Sequence, residues 1–388
     1  QISRRFSDFQ FERNWDFVKA VVGSVEADAK ILIVSIPNID KFAEDAVIFD
    51  NHYATNVPTL PYFTSTLSGQ RGIRTGILSH SRREYYSKVL PLPQILARNG
   101  YTTAAVSTLW NFRNWFAGGF QYYMNPMAGT WERTQTVDAE EINAMVIPWI
   151  KENYKKDFFL FVHYWDPHED SLWDAYHARF ERPYLCPYRP PEKYKNLYTE
   201  GIPEDPTNWD YVISQYDAEI TYADERFGEL LSTLDEMGIT EETMVIFTSD
   251  HGEDLGEEHP TRRKKQDRVG CVYDGHGTSY ESIIHTPLII RHPYFKTGTR
   301  INALVQNIDI LPTILEMCRM EKPNFRPLIS MRDMYDGDGK SLIPLLLGEA
   351  EEGYKNVYTD GVGLRRAMVT KDGWKIIKNY WKDGTRPY

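Results

Sequence analysis

Asp250-His251 follows directly on an apolar run, in Met244-Val-Ile-Phe247-Thr248-Ser-Asp250-His251-Gly-Glu253. A carboxylate oxygen beside an imidazole nitrogen suits Zn²⁺, Mn²⁺ and borderline divalent ions. The same dipeptide reads equally as a helix cap followed by a turn residue. Thr59 lies in Val57-Pro-Thr59-Leu-Pro61-Tyr-Phe. Threonine is a good N-cap and proline is favoured in a first helical turn, so capping alone accounts for this segment. That geometry also sets a hydroxyl where backbone N–H groups and the helix dipole stabilise an anion. A metal ion on its oxygen would make it an alkoxide nucleophile. His168, in His163-Tyr-Trp-Asp166-Pro-His168, and His276, in Asp274-Gly-His276-Gly-Thr278, are candidate general acids or anion binders, since imidazole titrates near neutral pH. Either one taken alone reads first as a structural histidine. These three clusters hold four of the ten histidines, so their grouping is itself a signal.

The clusters need elements to bring them together. Residues 31–36, 158–162, 244–247 and 287–290 are short apolar runs, rich in β-branched and aromatic residues. They read as strands buried on both faces. Residues 217–237 carry Ile220, Phe227, Leu230, Leu231, Leu234 and Met237 at helical spacing, closed by Gly238. Shorter helices are expected over 11–22, 40–46, 61–67, 92–99, 140–152 and 308–318, with short strands at 47–49 and 102–106. Strands alternating with helices imply a mostly parallel sheet covered on both faces, with functional groups at the strands' C-terminal ends. Residues 170–210, rich in Pro and Tyr, read as an irregular insertion. Arg262-Arg-Lys-Lys265 reads as a solvated loop. Beyond about residue 320, strand-like pieces at 356–358, 366–369 and 374–377 suggest a small antiparallel subdomain.

A chain of 388 residues, 41% hydrophobic and 14% aromatic, has the material for a large core and not the composition of disorder. The length fits two or three domains, or one large α/β domain with an appendage. A net charge of −11 argues against a nucleic-acid partner. It does not argue against a small anionic substrate, because a local metal ion outweighs a mild global charge. Cys186, Cys271 and Cys318 form neither a disulfide framework nor a zinc motif, so a reduced, cytoplasmic setting is expected. No apolar run approaches the ~20 residues that span a bilayer. Association into a homo-oligomer is left open.

In order and spacing, these segments resemble the sulfatase family of the alkaline-phosphatase superfamily. Thr59-Leu-Pro61-Tyr-Phe-Thr-Ser-Thr-Leu-Ser68-Gly69 is similar to the family's nucleophile motif, in register to the closing glycine. Residues 37–55 look like its lead-in. Ser249-Asp250-His251-Gly252-Glu253 with Leu255-Gly256-Glu257 looks like its second metal motif. Gly277-Thr278-Ser-Tyr280-Glu281 with Thr286-Pro-Leu-Ile-Ile-Arg291 is similar to its late signature. Asp309-Ile-Leu-Pro-Thr313 and Asp338-Gly-Lys-Ser-Leu342 also match family patterns.

The resemblance covers roughly residues 30–388. It implies an alkaline-phosphatase-like α/β sandwich with a mostly parallel central sheet and a small C-terminal α+β subdomain. Residues 1–29 would be an N-terminal extension, 30–320 the catalytic domain and 321–388 the subdomain. It implies a metal-dependent hydrolase acting on a phosphate ester (mono- or diester) or sulfate ester of a small anionic molecule. A divalent ion (Mn, Zn, Ca or Mg) would sit on Asp250, His251 and Thr59. Thr59 would attack, His168 would protonate the leaving alcohol or bind the anion, and His276 would contact the anion from the other side. A phospho-group transferase of the same superfamily is the nearest alternative. A second is a non-catalytic binding protein on this scaffold, with Trp165, Trp173 and the Tyr-rich 170–210 stretch stacking on a sugar or lipid headgroup.

Four positions depart from the family pattern. Sulfatases convert a Cys or Ser to formylglycine, which Thr59 cannot become, so this motif looks like the phosphodiesterase and phosphotransferase branches. Phe63 stands where sulfatases usually place an Arg, and His276 where many have a Lys. Finally, one or two acidic metal ligands are expected just after the first strand, yet Ile36 runs straight into Pro37. Either residues are missing there or the site is short of ligands. Asp40 is not placed to substitute, because it falls on the following helix.

Overall fold

The computed structural model describes residues 34–79, 90–112, 114–126, 137–168, 188, 190–205, 208–253, 255, 279–321, 337–361 and 365–379. Its strands are β1 (Val47–Tyr53), β2 (Thr102–Val106), β3 (Tyr122–Met124), β4 (Phe158–Val162), β5 (Val245–Thr248), β6 (Leu288–Arg291), β7 (Thr299–Gln306), β8 (Asn356–Gly361), β9 (Arg365–Thr370) and β10 (Lys375–Asn379). The helices used below are α1 (Pro37–Glu44), α2 (Thr59–Ser68), α3 (Leu92–Arg98), α4 (Ala139–Asn153), α5 (Trp209–Glu236), α6 (Glu281–Ile284), α7 (Ile310–Glu321) and α8 (Ile343–Leu346).

Among the described residues the strands form three sheets, in the orders β5-β6-β1-β7, β3-β2-β4 and β10-β9-β8. β2 pairs in parallel with β3 and β4, and β1 in parallel with β7. β6 runs against both β1 and β5. It does so because α6 ends at Ile284 and β6 starts at Leu288, so the chain enters this strand from the end at which β5 finishes. The fold is thus mixed α/β with a parallel-rich sheet, as expected, and β6 is its reversed strand.

Helices cover the strands. α4 opens on a capping box in which Asp138 and Glu141 satisfy each other's backbone N–H groups. α5 packs against α4 and α1, and α2 lies against the turn that leads into α7. α5 begins at Trp209, eight residues before the expected start, because Tyr211, Val212, Ile213 and Tyr216 extend its buried face. No described helix is long and apolar enough to cross a membrane.

β2 and β4 match their expected bounds. β7 was not anticipated: its first half, Thr-Arg-Ile-Asn, is polar and only its second half is buried. Of the expected strand at 31–36, residues 31–33 lie outside the described set, as does the helix at 11–22. Residues 34–36 form no strand. They lead into α1, whose first residue Pro37 suits the first helical position. The Asp40 N–H donates to the Ile36 carbonyl at 2.9 Å, closing the first turn of α1. Asp40 sits on α1, as expected.

The C-terminal sheet is antiparallel throughout and is sewn to the rest. Val57 N–H donates to the Asp360 carbonyl, and Asp360 N–H to that of Thr55. Val357, Ala367 and Val369 belong to the same hydrophobic cluster as β1 and α2. Asp309, at the start of α7, accepts from the N–H groups of Gln306 and Lys340 at 2.8 Å each and from the Tyr354 hydroxyl at 2.6 Å.

Burial raises the Asp309 carboxyl to about 6, although these three hydrogen bonds oppose the rise. A carboxyl raised above its unfolded value of ~3.9 holds protons more tightly in the folded state. Its contribution to stability therefore falls as pH rises from ~4 to ~6 and is level above that. Asp309→Asn is expected to remove that slope from a plot of Tm against pH. Asp309→Ala removes the acceptor for three donors, of which the Gln306 N–H is buried, and is expected to cost about 2–4 kcal/mol in urea unfolding.

Candidate active site

α2 begins at Thr59, with Pro58 holding the N-cap position in extended backbone. No side chain caps the helix. The capping reading of Thr59 is therefore corrected: it is the first helical residue, and its hydroxyl points elsewhere. Every residue of α2 is buried, and Gly69 closes it in the left-handed conformation at φ 63°. An all-buried helix must hide its polar side chains. Thr64 and Thr66 do so by donating to the carbonyls four residues back, and Ser65 donates to Asn56. Asn307 then pins the helix through the Tyr62 carbonyl and the Thr66 hydroxyl.

The partner loop leaves β5 at Thr248. Thr248 Oγ1 lies 3.2 Å from the Tyr62 hydroxyl, which fixes the end of β5 against α2. Two residues on, the His251 N–H donates to Asp250 Oδ1 at 2.9 Å, so Asp250 folds back on its own loop and caps no helix. His251 Nδ1 lies 2.9 Å from the Gly252 carbonyl, which fixes that nitrogen as the donor. His251 Nε2 lies 3.2 Å from Thr59 Oγ1 and 3.3 Å from Asp250 Oδ2. Side-chain atoms of all three residues converge on one place.

Burial would raise the Asp250 carboxyl. His251, His163 and the hydrogen bonds from Thr59 and the His251 N–H outweigh that and hold it below its ordinary range. It is thus an ionised carboxylate inside the protein. Gly252 is crowded for the same reason that the loop is fixed. Its N–H donates to the Ile283 carbonyl at 2.8 Å, and a Cβ there would stand 1.9 Å from the Ser282 carbonyl oxygen. The loop is clamped onto α6.

His163, the first residue after β4, faces this group and was not picked out in the sequence. Burial lowers its imidazole to about 4, and the neighbouring Asp250 carboxylate opposes that fall. Ser107 Oγ lies 3.1 Å from its Nδ1, and Phe63 and Trp165 pack on its ring at 4.9 and 4.5 Å. The signal available was positional: His163 ends β4 as the Thr248–His251 stretch ends β5. Phe63 also meets Phe161 and Phe116 edge to face, so this position is wholly apolar.

His168 stands farther along the same loop. Its N–H donates to the Trp165 carbonyl and its ring lies edge-on to Trp165 at 5.3 Å. It lines one cavity of about 1120 Å³ together with Thr59, His163, Asp250 and His251. His276, Trp173 and residues 262–265 lie outside the described residues. Trp165 is buried, with the rings of His163 and His168 packed against it.

The donors present suit a divalent cation. They comprise an ionised carboxylate, an imidazole nitrogen whose far side is fixed by a carbonyl, and a hydroxyl. Their number is small. Among the described residues no group of three or more His, Cys, Asp or Glu is arranged to hold a metal.

A sequence model of the family described as sulfatase matches residues 28–319, and one for the C-terminal part of N-sulphoglucosamine sulphohydrolase matches residues 272–383. The chain is 26% identical over 320 residues to an ulvan-active sulfatase of Formosa agariphila, covering 75% of this chain and 58% of that protein. It is 30% identical over 161 residues to steryl-sulfatase of Mus musculus, covering 39% of this chain and 24% of that one. The chain therefore spans under two thirds of these relatives' lengths. Among solved structures, a protein in complex with its substrate D-glucosamine-2-N,6-O-disulfate superposes with a TM-score of 0.65 at 20% identity, covering 91% of this chain and 85% of that one. A phosphonate monoester hydrolase of Silicibacter pomeroyi superposes at 0.60 and 17%, covering 90% and 85%. These two share the fold.

Because the Gly252 clamp sets the position of His251, Gly252→Ala is expected to lower turnover of any ester substrate by ~100-fold, as ångström misplacements do. Circular dichroism should stay folded. Unchanged kcat/KM in this variant would show that the clamp does not position the site.

Proposed function

The chain belongs to the sulfatase family, and on that basis we propose that it hydrolyses a phosphate or sulfate ester with Thr59 as the nucleophile. The observation that carries this reading is the meeting of Thr59 Oγ1 with His251 and Asp250 at the start of a buried helix.

Asp250, His251 and the Thr59 oxygen are the groups that would hold a divalent cation, which when bound supplies charge neutralisation for the attacking oxygen and the anion. The remaining work falls to the chain itself. Asp250 and His251 orient the Thr59 hydroxyl, and the N-terminal end of α2 favours the negative charge that develops there. His168 gives a proton to the leaving alcohol or binds the anion, and His276 contacts the anion from the other side. The bond from Thr59 to phosphorus or sulfur forms as the ester bond breaks. Water then releases the group, or an acceptor alcohol takes it in a transferase.

Phosphoesters are favoured over sulfate esters by two residues. Thr59 cannot be converted to formylglycine, and Phe63 puts an aromatic ring, packed on Phe161 and His163, where sulfatases usually place a cationic side chain. The glucosamine disulfate in one structural neighbour's complex supports a sugar ester as the substrate, with the sugar alcohol as the leaving group.

Nitrophenyl phosphate, bis-nitrophenyl phosphate and nitrophenyl sulfate should be assayed in parallel, each with added Mn²⁺ or Zn²⁺. Phosphoester turnover is expected, abolished by a chelator and restored by the metal. Thr59→Ala should reduce it by at least ~1,000-fold, while Thr59→Ser, which keeps the oxygen, should stay within ~10-fold. Sulfate turnover without phosphoester turnover would overturn the threonine reading.

A further inference from the structure

The C-terminal sheet, ordered β10-β9-β8, grips the two halves of the site with its two outer strands. β8 holds the segment that leads to Thr59. The Thr359 hydroxyl donates to the Ala54 carbonyl at 2.6 Å and the Asp360 N–H to that of Thr55 at 2.9 Å, while the Val57 N–H donates to the Asp360 carbonyl at 3.1 Å. β10 holds the other half. Trp374 and Ile376 are exposed, so alternation turns Lys375, between them, towards the rest of the protein. Its ammonium donates to Glu281 Oε2 at 2.9 Å. Glu281 opens α6, the turn onto which the Asp250–His251 loop is clamped through Gly252.

α6 cannot keep its own place. It is one turn of four residues with no side-chain cap, and a lone turn is unstable in water. Its last two residues, Ile283 and Ile284, are wholly buried, and the Ile284 carbonyl accepts from the Ala54 N–H at 2.8 Å. Its first residue is held through the Glu281 side chain. Oε1 accepts from the Tyr53 hydroxyl at 2.7 Å, and His285, stacked on the Tyr53 ring at 4.9 Å, brings Nδ1 within 3.6 Å of it. Burial would raise the Glu281 carboxyl. Lys375 first, then Tyr53 and His285, outweigh that and hold it below its ordinary range. Without the ammonium, a partly buried carboxylate is left short of a partner and is drawn towards water.

We infer that Lys375 and Glu281 are positioning residues, through which the C-terminal sheet sets how closely His251 approaches Thr59. The inference rests on the reading of Thr59, Asp250 and His251 as the site. The path is short. It runs from Lys375 to Glu281, along one turn to the Ile283 carbonyl, to the Gly252 N–H at 2.8 Å, and from the Gly252 carbonyl to His251 Nδ1 at 2.9 Å. The far nitrogen of that ring is the one 3.2 Å from Thr59 Oγ1. On the other side, the β8 bonds end at Val57, two residues before Thr59. A shift of α6 against this sheet therefore changes the Thr59–His251 distance without contact with either residue.

The test pairs steady-state kinetics of the full chain, on nitrophenyl phosphate with Mn²⁺, with hydrogen exchange of the Gly252 amide in the protein free of substrate and metal. Lys375→Met is expected to lower kcat by ~10–100-fold and to leave KM within ~3-fold. Lys375→Arg, which keeps the cation, should stay within ~3-fold of the unsubstituted kcat. The Gly252 amide should exchange at least ~10-fold faster in Lys375→Met, with the amides of β1 and β6 unchanged. Adding Glu281→Gln to Lys375→Met should lower kcat no further, because both changes break one pair. An unchanged kcat in Lys375→Met would overturn the inference, as would a loss accompanied by faster exchange throughout β1 and β6, which marks general loosening. If Thr59→Ala keeps its turnover, the reading of the site fails, and the Gly252 amide alone then decides: an unaltered rate in Lys375→Met rules the sheet's control out.

Discussion

An ionised carboxylate inside a protein has to be surrounded before it can exist. Desolvating a lone carboxylate costs several kcal/mol even after relaxation, on the order of 5. Asp250 meets that condition with a hydroxyl from α2, the backbone N–H and imidazole of His251 on its own loop, and His163 from the end of β4. These groups come from three different elements, all of which must be in place. The Tyr62–Thr248 contact and the Gly252–Ile283 hydrogen bond are the mechanical side of the same requirement.

That requirement explains why α2 is buried over its whole length. A hydroxyl on a surface helix would share its position with water. Here the threonines of α2 spend their hydroxyls on carbonyls four residues back, and Thr59, with no carbonyl so placed, has its own available for His251. The aromatic packing of Phe63 against Phe161 and His163 carries the constraint across to the other sheet.

Much of this was legible in the sequence, for reasons that differ by residue. Thr59 and Asp250-His251 stood out through the order of motifs around them, since each alone reads as ordinary turn or cap chemistry. β4 is bounded to the residue because a fully apolar run between polar stops is a local signal. β7 was hidden because its exposed half is polar, and the reversal of β6 because strand direction is set by where the chain re-enters the sheet. His163 was seen but not singled out: its importance lies in facing Asp250, 87 positions away in the chain. Gly252 shows in the motif, but only the approach of α6 explains why that residue bears no side chain.

β1 carries the chain directly into Thr59, yet Val47 pairs with Ile290 on one side and Thr299 on the other. At ~5–20 residues per second of synthesis, β1 waits on the order of 10–50 s on the ribosome before either partner exists. Thr59, the proposed nucleophile, is translated well before the two strands that place it. A message truncated ahead of the codons for residues 288–306 would still encode Thr59, Asp250 and His251, and would yield none of the site.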